Sequence, residues 1–441
     1  MKERQPLKME IRITSEEIIK LPGTAEIDNE TPLTISDLCQ ARMYVKTCYF
    51  YKNSTATPFS VDRMIAGLKT TLKEYPEICG SIKYTTTGGI LHHDNHGVKI
   101  IKSKANFSFA EVENINFEVK KLPEKEIFPF EVREFPLNND AYLLVAQIIS
   151  LNDESLILVV NYHHLLCDRQ GICNFLSAWA HATTHGDIGV FSNITNRYLL
   201  QQNVHYERKN QYKHLFLSSI SSHFVITAKT TKLRLYVPFS KLNSLQMKFS
   251  KILGDSVYIS KNDVLTGIIW KATVAARMHK KCESSMAAIV VNCRKTFGLP
   301  NNYFRNGISY LCMRLSTAEI LDMPIEEVCL RLRQNYDFMS KSYILEFLHS
   351  LFNQISLPIF PSIVHNDILL TSLAHYSLYD FDFGLGKAIG VSTVSKGTPG
   401  FVTILPTPHK DGLFVEFCLE TEEMSIFLKN DYVKETFTIV Y

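Results

Sequence analysis

Residues 159–171, VVNYHHLLCDRQG, set two histidines, a cysteine and an aspartate within six positions. A free imidazole titrates near about 6.5, so at neutral pH it is mostly unprotonated and can take a proton from a hydroxyl or amine. A base so placed is worth roughly a hundred- to ten-thousand-fold in rate. His164 and Asp168 stand four apart, but with 15 histidines and 44 acidic residues in 441 positions about 1.5 such pairs arise by chance. Context has to decide. Metal binding by His164 and Asp168 would need a third ligand and a helix across 164–168, and the sequence has neither an HExxH run nor a Cys/His cluster; no metal site is assigned. Cys167, three positions from His164 on a turning segment, has no route to a hydrogen bond with it and reads as a small buried hydrophobe rather than a nucleophile.

The elements around the motif supply the context. SLILVVNYH (155–163) reads as a buried strand whose polar end delivers His163 and His164, and GICNFLSAWAHAT (171–183) reads as a helix with Phe175, Leu176 and Trp179 inward. Reactive groups in α/β proteins collect at such strand ends. Successive strand residues face opposite ways, so one histidine enters a cleft while the other packs. Further strands are expected at 141–149, 287–293 and 413–419. One helix is expected from VDRMIAGLKTTLKEYP, with Met64, Ile65, Leu68 and Leu72 on one face, and another from SKNDVLTGIIWKATVAARMHKK, capped by Ser260. The class is α/β. A chain of 441 residues exceeds what a single core usually supports, and the polar, aperiodic stretch near 186–230 marks the break. The expected division is an N-terminal domain 1–190, a crossover linker 191–230 and a C-terminal domain 231–441.

With 47 basic and 44 acidic residues evenly spread, net charge +3, no electrostatic footprint for nucleic acid or an anionic membrane exists. No run is long enough to span a bilayer, and MKERQPLKMEIRITSEE lacks the apolar core of a secretory signal. The ten cysteines never form a CxxC pair, which suits reduced thiols in a cytoplasmic protein. The sequons at Asn53, Asn106 and Asn193 then read as chance matches.

A second motif, SLYDFDFGLGKAIG, occupies 377–390. No HRD precedes this DFG, and GLGKAIG lacks the spacing of a phosphate-cradling loop, so neither a kinase nor a nucleotide fold is indicated. By itself the segment is a glycine turn. Together, His164-x-x-x-Asp168 and Asp382-Phe383-Gly384-Leu385-Gly386 resemble the BAHD acyl-CoA-dependent acyltransferases, whose motifs are HxxxD and DFGWG. LTISDLCQARMYVKTCYFYK, LKEYPEICGSI, YISKNDVLTGIIWKATVAAR, VVNCRKTFGLPNNYFRNG and LTSLAHYSLYDFDFGLGK extend the likeness, in order, over nearly the whole chain. The departures are Leu385 and Leu373 for tryptophans, Arg305 for the glycine of YFGN, and Asp168-Arg169-Gln170-Gly171 where the family usually has glycine directly after the aspartate. With only two tryptophans in the chain, these departures resemble the divergent fungal branch more than plant members.

The resemblance implies a two-domain chloramphenicol-acetyltransferase-like α/β fold, each domain a mixed sheet with flanking helices, and a tunnel at the domain interface. It implies direct transfer from acyl-CoA to a small alcohol or amine, with His164 as general base, no covalent enzyme intermediate and no permanently bound cofactor. Asp168 is expected to pair with Arg294 and act structurally. Thr371, or next Ser372, is expected to stabilise the oxyanion, and Ser260 and Lys261 to lie by the CoA phosphates. Against these stand plainer roles, hydroxyls bonded to backbone and Ser260 as a helix cap. Asp382, Gly384 and Gly386 are expected to shape a supporting turn. The expected protein is a cytoplasmic monomer of secondary metabolism. Two alternatives remain: a condensation- or carnitine-type transferase, against which DFGLG argues, and a catalytically silent accessory or binding relative.

Overall fold

The computed structural model describes residues 8–22, 30–41, 43–53, 60–85, 88–129, 141–191, 193, 229–254, 257–354, 367–394 and 398–441. The chain divides into two compact α/β units. The first comprises Met1–Tyr198, Pro300–Asn306 and Ser377–Ser395; the second comprises Leu199–Leu299, Gly307–Tyr376 and Lys396–Tyr441.

In the first unit a six-stranded mixed sheet runs in the order Ile11–Ile19, Val98–Ala105, Leu144–Ser150, Leu156–His163, Tyr44–Tyr51, Gly390–Val394. Only the Val98–Ala105 and Leu144–Ser150 pair is parallel. The strand Leu156–His163 is central and buried at every position, as a continuous apolar run requires. The helices Val61–Leu72 and Arg169–His185 pack on each other. Gly67 permits this approach, since a Cβ there would lie 2.6 Å from the Thr183 amide nitrogen. Met64, Ile65, Leu68 and Leu72 are all buried, as their spacing requires. A second apolar cluster gathers Cys48, Phe50, Ile157 and Val159 from alternate strand positions with Phe109, Val112 and Ile127.

The second unit is built on a seven-stranded mixed sheet in the order Ile308–Ser316, Ser284–Asn292, Ile368–Ser372, Phe401–Pro406, Gly412–Glu420, Thr230–Pro238, Thr438–Ile439. Its core is organised by the helix Lys261–Ala276, which packs against the helices Phe239–Leu253, Ile325–Asn335 and Thr421–Phe427. Buried charges here are paired, Arg277 with Glu423 at 3.1 Å and Arg314 with Asp367 at 3.1 Å, as low dielectric demands.

The expected domain boundaries need one correction. DFGLG does not belong to the C-terminal unit: residues 377–395 and 300–306 return to the first unit. The cause is strand pairing, since Gly390–Val394 closes the first sheet against Tyr44–Tyr51, with Gly390 opposite Phe50 and Ser392 opposite Cys48. The expected 191–230 linker lies almost entirely outside the described residues. Among the described residues no helix is long and apolar enough to cross a membrane, and all ten cysteines are free thiols.

Candidate active site

His163 ends its strand fully buried, its ring edge-on to Tyr44 at 5.0 Å between centroids, and its Nδ1 accepts from the Leu165 amide at 3.3 Å. This histidine packs. His164 follows outside the strand, its amide donating to the Met43 carbonyl at 3.0 Å, and the residue is partly exposed. Its Nδ1 is the sealed ring nitrogen, buried without a hydrogen-bond partner. Burial holds the imidazole pKa below the usual value, against the opposing pulls of its own carbonyl, the Asp168 carboxylate and Asn306; the Arg169 charge acts with burial. The result is a ring that resists protonation.

Asp168 is the N-cap of the helix Arg169–His185, and its Oδ1 accepts from the Gly171 amide at 3.0 Å. Gly171 is there for space: a Cβ would lie 1.9 Å from the Phe304 carbonyl oxygen. The segment 300–306 passes close over this helix start, and Asn174 Nδ2 donates to the Asn301 carbonyl at 2.9 Å. Cys167 is fully buried.

Residues that sequence reasoning passed over complete the surroundings. Asn306 Nδ2 donates to the carbonyl of His164 at 2.9 Å and to Asp37 Oδ1 at 2.8 Å, while Asp37 Oδ2 accepts from Arg305 Nη2 at 2.9 Å. All three side chains are 0–1% exposed. Asp37 also closes a capping box with Thr34. The loop bearing the base is thus tied to a buried carboxylate neutralised by the arginine that replaces the family's glycine. Asp37 and Arg305 lie in LTISDLCQ and NNYFRNG, stretches quoted for resemblance, but no spacing marks residues 268 apart as partners.

In the DFGLG loop, Asp382 Oδ1 accepts from the amides of Gly384 at 2.7 Å and Gly386 at 2.9 Å. Both glycines have positive φ, +100° and +82°, with nothing near the site of a Cβ, so it is backbone conformation that selects glycine. Phe383 packs edge-on against Trp179 at 5.2 Å and against Tyr51 at 6.0 Å, and Phe381 against Tyr49 at 5.6 Å. Leu385 is 2% exposed. The loop's aspartate shapes a turn and its aromatics anchor it.

The remaining expected site residues fall in the second unit. Thr371 sits partly exposed in the strand Ile368–Ser372, opposite Thr403. Arg294 opens the short helix Arg294–Phe297 and is 1% exposed; Gly307 makes room for it, since a Cβ there would lie 2.9 Å from the guanidinium. Ser260 caps the helix Lys261–Ala276 in a capping box, its Oγ donating to Asp263 Oδ2 at 2.8 Å and accepting from the Asp263 amide at 3.2 Å. Lys261 Nζ lies 5.0 Å from the Phe239 ring centroid. The one grouping of metal-ligating types among the described residues, His279, Glu420 and Glu423, has both carboxylates occupied by Lys280.

Two mixed-sheet α/β units and a histidine–aspartate strand end define a class of two-domain acyltransferase-like proteins. The Transferase family model matches residues 9–434, and the chain belongs to that family, the BAHD acyltransferases. It is 22% identical over 411 residues to a hydroxycinnamoyl-CoA:piscidic acid hydroxycinnamoyltransferase of Actaea racemosa, covering 86% of this chain and 89% of that one. Among solved structures it resembles F. sporotrichioides TRI101, solved with coenzyme A and T-2, with TM-score 0.78, 16% identity and coverage of 94% and 100%. Vinorine synthase follows with TM-score 0.72, 16% identity and coverage of 95% and 96%.

Proposed function

We propose that this protein transfers an acyl group from acyl-CoA to the hydroxyl or amine of a small molecule. The observation that carries the proposal is His164, a partly exposed residue whose imidazole is held towards its neutral form by burial, at a strand end in a BAHD family chain. His164 Nε2 takes the acceptor's proton as the acceptor oxygen or nitrogen attacks the thioester carbonyl carbon. The tetrahedral oxyanion receives a hydrogen bond from Thr371, a donor of a kind worth about 2.7 to 4 kcal/mol. Collapse breaks the carbon–sulfur bond, and the imidazolium returns its proton to the CoA thiolate. No enzyme nucleophile is needed, and Cys167 is too buried to serve as one.

Asp168 and Arg294 act as support, paired as the resemblance implies, and Ser260 and Lys261 lie by the CoA phosphates. The Ser260 hydroxyl is already engaged by Asp263, so Lys261 carries most of that role. The working form is a monomer in the cytoplasm; ten free thiols favour a reducing compartment.

The test is CoA thiol release from a panel of acyl-CoAs with alcohols and amines. Wild-type turnover is expected to fall by about a hundred- to ten-thousand-fold in His164→Ala. Equal background rates in both proteins would instead identify a silent binding relative.

A further inference from the structure

The acyl-transfer scheme uses one ring nitrogen of His164 and leaves the other, Nδ1, buried without a hydrogen-bond partner. A second buried atom in the same state is Oδ1 of Asn306. The Asn306 side chain is fully buried against residue 164, its Nδ2 donating to the His164 carbonyl at 2.9 Å and to Asp37 Oδ1 at 2.8 Å. A carbonyl and a carboxylate can only accept, so both amide hydrogens are committed and the orientation of the amide is settled. Its oxygen is what it has left to offer the ring.

Burial favours the neutral imidazole, while the residue's own carbonyl and the Asn306 side chain act on it as hydrogen-bonding groups that favour the protonated form. The charges that bear on the ring directly are Asp168, toward protonation, and Arg169, against it. A lone pair on Nδ1 would be set against the lone pairs of these oxygens, so the proton of the neutral ring belongs on Nδ1 and the lone pair on Nε2. Asp37 holds the amide in turn. Its Oδ1 also accepts from the Asn306 backbone amide at 3.3 Å, and its Oδ2 from the Thr34 amide and Arg305 Nη2, each at 2.9 Å. Because Arg305 balances the carboxylate, the group presented to the base is a fixed dipole rather than an ion.

We propose that Asn306 is a positioning residue for the base: its Oδ1 accepts the Nδ1–H of His164 as the imidazolium forms, which keeps Nε2 as the proton acceptor and steadies the positive ring until that proton passes to the leaving thiolate. This rests on the acyl-transfer reading of His164. The Nδ1 proton stays on the ring throughout, and only Nε2 exchanges a proton with the substrates. In the resting chain the two atoms fall short of bonding geometry, as catalytic hydrogen bonds commonly do before substrate binds.

NMR spectra of the full chain carrying nitrogen-labelled histidine, with His164 assigned by its loss in His164→Gln, read the tautomer and titration of this ring without any turnover. The neutral wild-type ring is expected to carry its proton on Nδ1. Asn306→Ala should move the His164 titration and the acid limb of kcat/KM to lower pH together, and should lower kcat by roughly ten- to a hundredfold, the size of a hydrogen bond to a charged group, with less effect on KM. Asn306→Gln, which keeps the amide, should recover part of both. A neutral wild-type ring protonated on Nε2 overturns the proposal with no variant needed. So does a folded Asn306→Ala in which His164 titrates as in wild type, whatever its rate, since a merely structural residue would leave the titration unmoved. Thiol release is read separately. The expected spectra in a protein that turns over no acyl-CoA strike down the transfer reading alone, and turnover with an unmoved titration strikes down the role of Asn306 alone.

Discussion

His164 carries its function through what it lacks. Its Nδ1 is sealed without a hydrogen-bond partner, and burial is the leading cause of its lowered pKa, with the Arg169 charge adding to it and Asp168 opposing. The proton is therefore bound more weakly in the folded chain than in an unfolded one, where the imidazole titrates near about 6.5. Below that pH the unfolded state takes up more protons, so stability falls as pH drops through the interval between the unfolded and folded values, and is unaffected above it. Catalysis needs the neutral ring, so the acid limb of kcat/KM is expected below about 6.5. A pH–rate profile checks this, and an acid limb above that value would contradict the burial argument. His164 and Asp168 were legible in the sequence because spacing, strand end and a distant second motif agreed. Asp37, Arg305 and Asn306 were not, since their partnership exists only once residues 269 apart are folded together.

At the scale of elements, strand 155–163 and the helices beginning near 61 and 261 were readable because their apolar periods are unbroken. Loops around the base follow a different logic, in which single backbone demands decide the residue. Gly171 faces the Phe304 carbonyl at a distance no Cβ tolerates, whereas Gly384 has open space and a φ of +100°. Alanine at 384 therefore costs only backbone strain, about 1 to 2 kcal/mol. Alanine at 171 must push residues 300–306 off the helix start, disturbing the segment that carries Asn306 to the His164 carbonyl. Denaturant unfolding should show Gly171→Ala as the more destabilising, and kcat should fall with it while Gly384→Ala keeps most of its activity. Asp168→Ala, which removes the cap on the Gly171 amide, should cost about 0.5 to 2 kcal/mol from the lost cap alone, whereas a loss of about 3 to 5 kcal/mol is expected from breaking the proposed pair with the buried Arg294 as well.

At the scale of the molecule, the unexpected feature is that the first unit is discontinuous. The strand Gly390–Val394, which adjoins the segment that reads as a glycine turn, is not among the strands expected from hydropathy, and its pairing with Tyr44–Tyr51 is a contact across most of the chain. What returns with it is substantial: Phe381 on Tyr49, and Phe383 on Tyr51 and Trp179. Burying one such aromatic contributes about 1.5 to 3 kcal/mol, and residues 300–306 add the Asn306 and Arg305 bonds to Asp37. Against a typical domain stability of about 5 to 15 kcal/mol, losing both segments is decisive. A fragment of residues 1–198 leaves an unpaired sheet edge, and Asp37 buried without its arginine, a loss of about 3 to 5 kcal/mol. Such a fragment is expected not to unfold cooperatively, and Trp179, its sole tryptophan, should emit at longer wavelength than in the intact chain once Phe383 is gone. Co-expression with residues 199–441, which contain both missing segments, should restore the native emission and a sharp transition. A fragment of 1–198 that melted cooperatively with native-like Trp179 emission would show that the returning segments decorate a unit already complete.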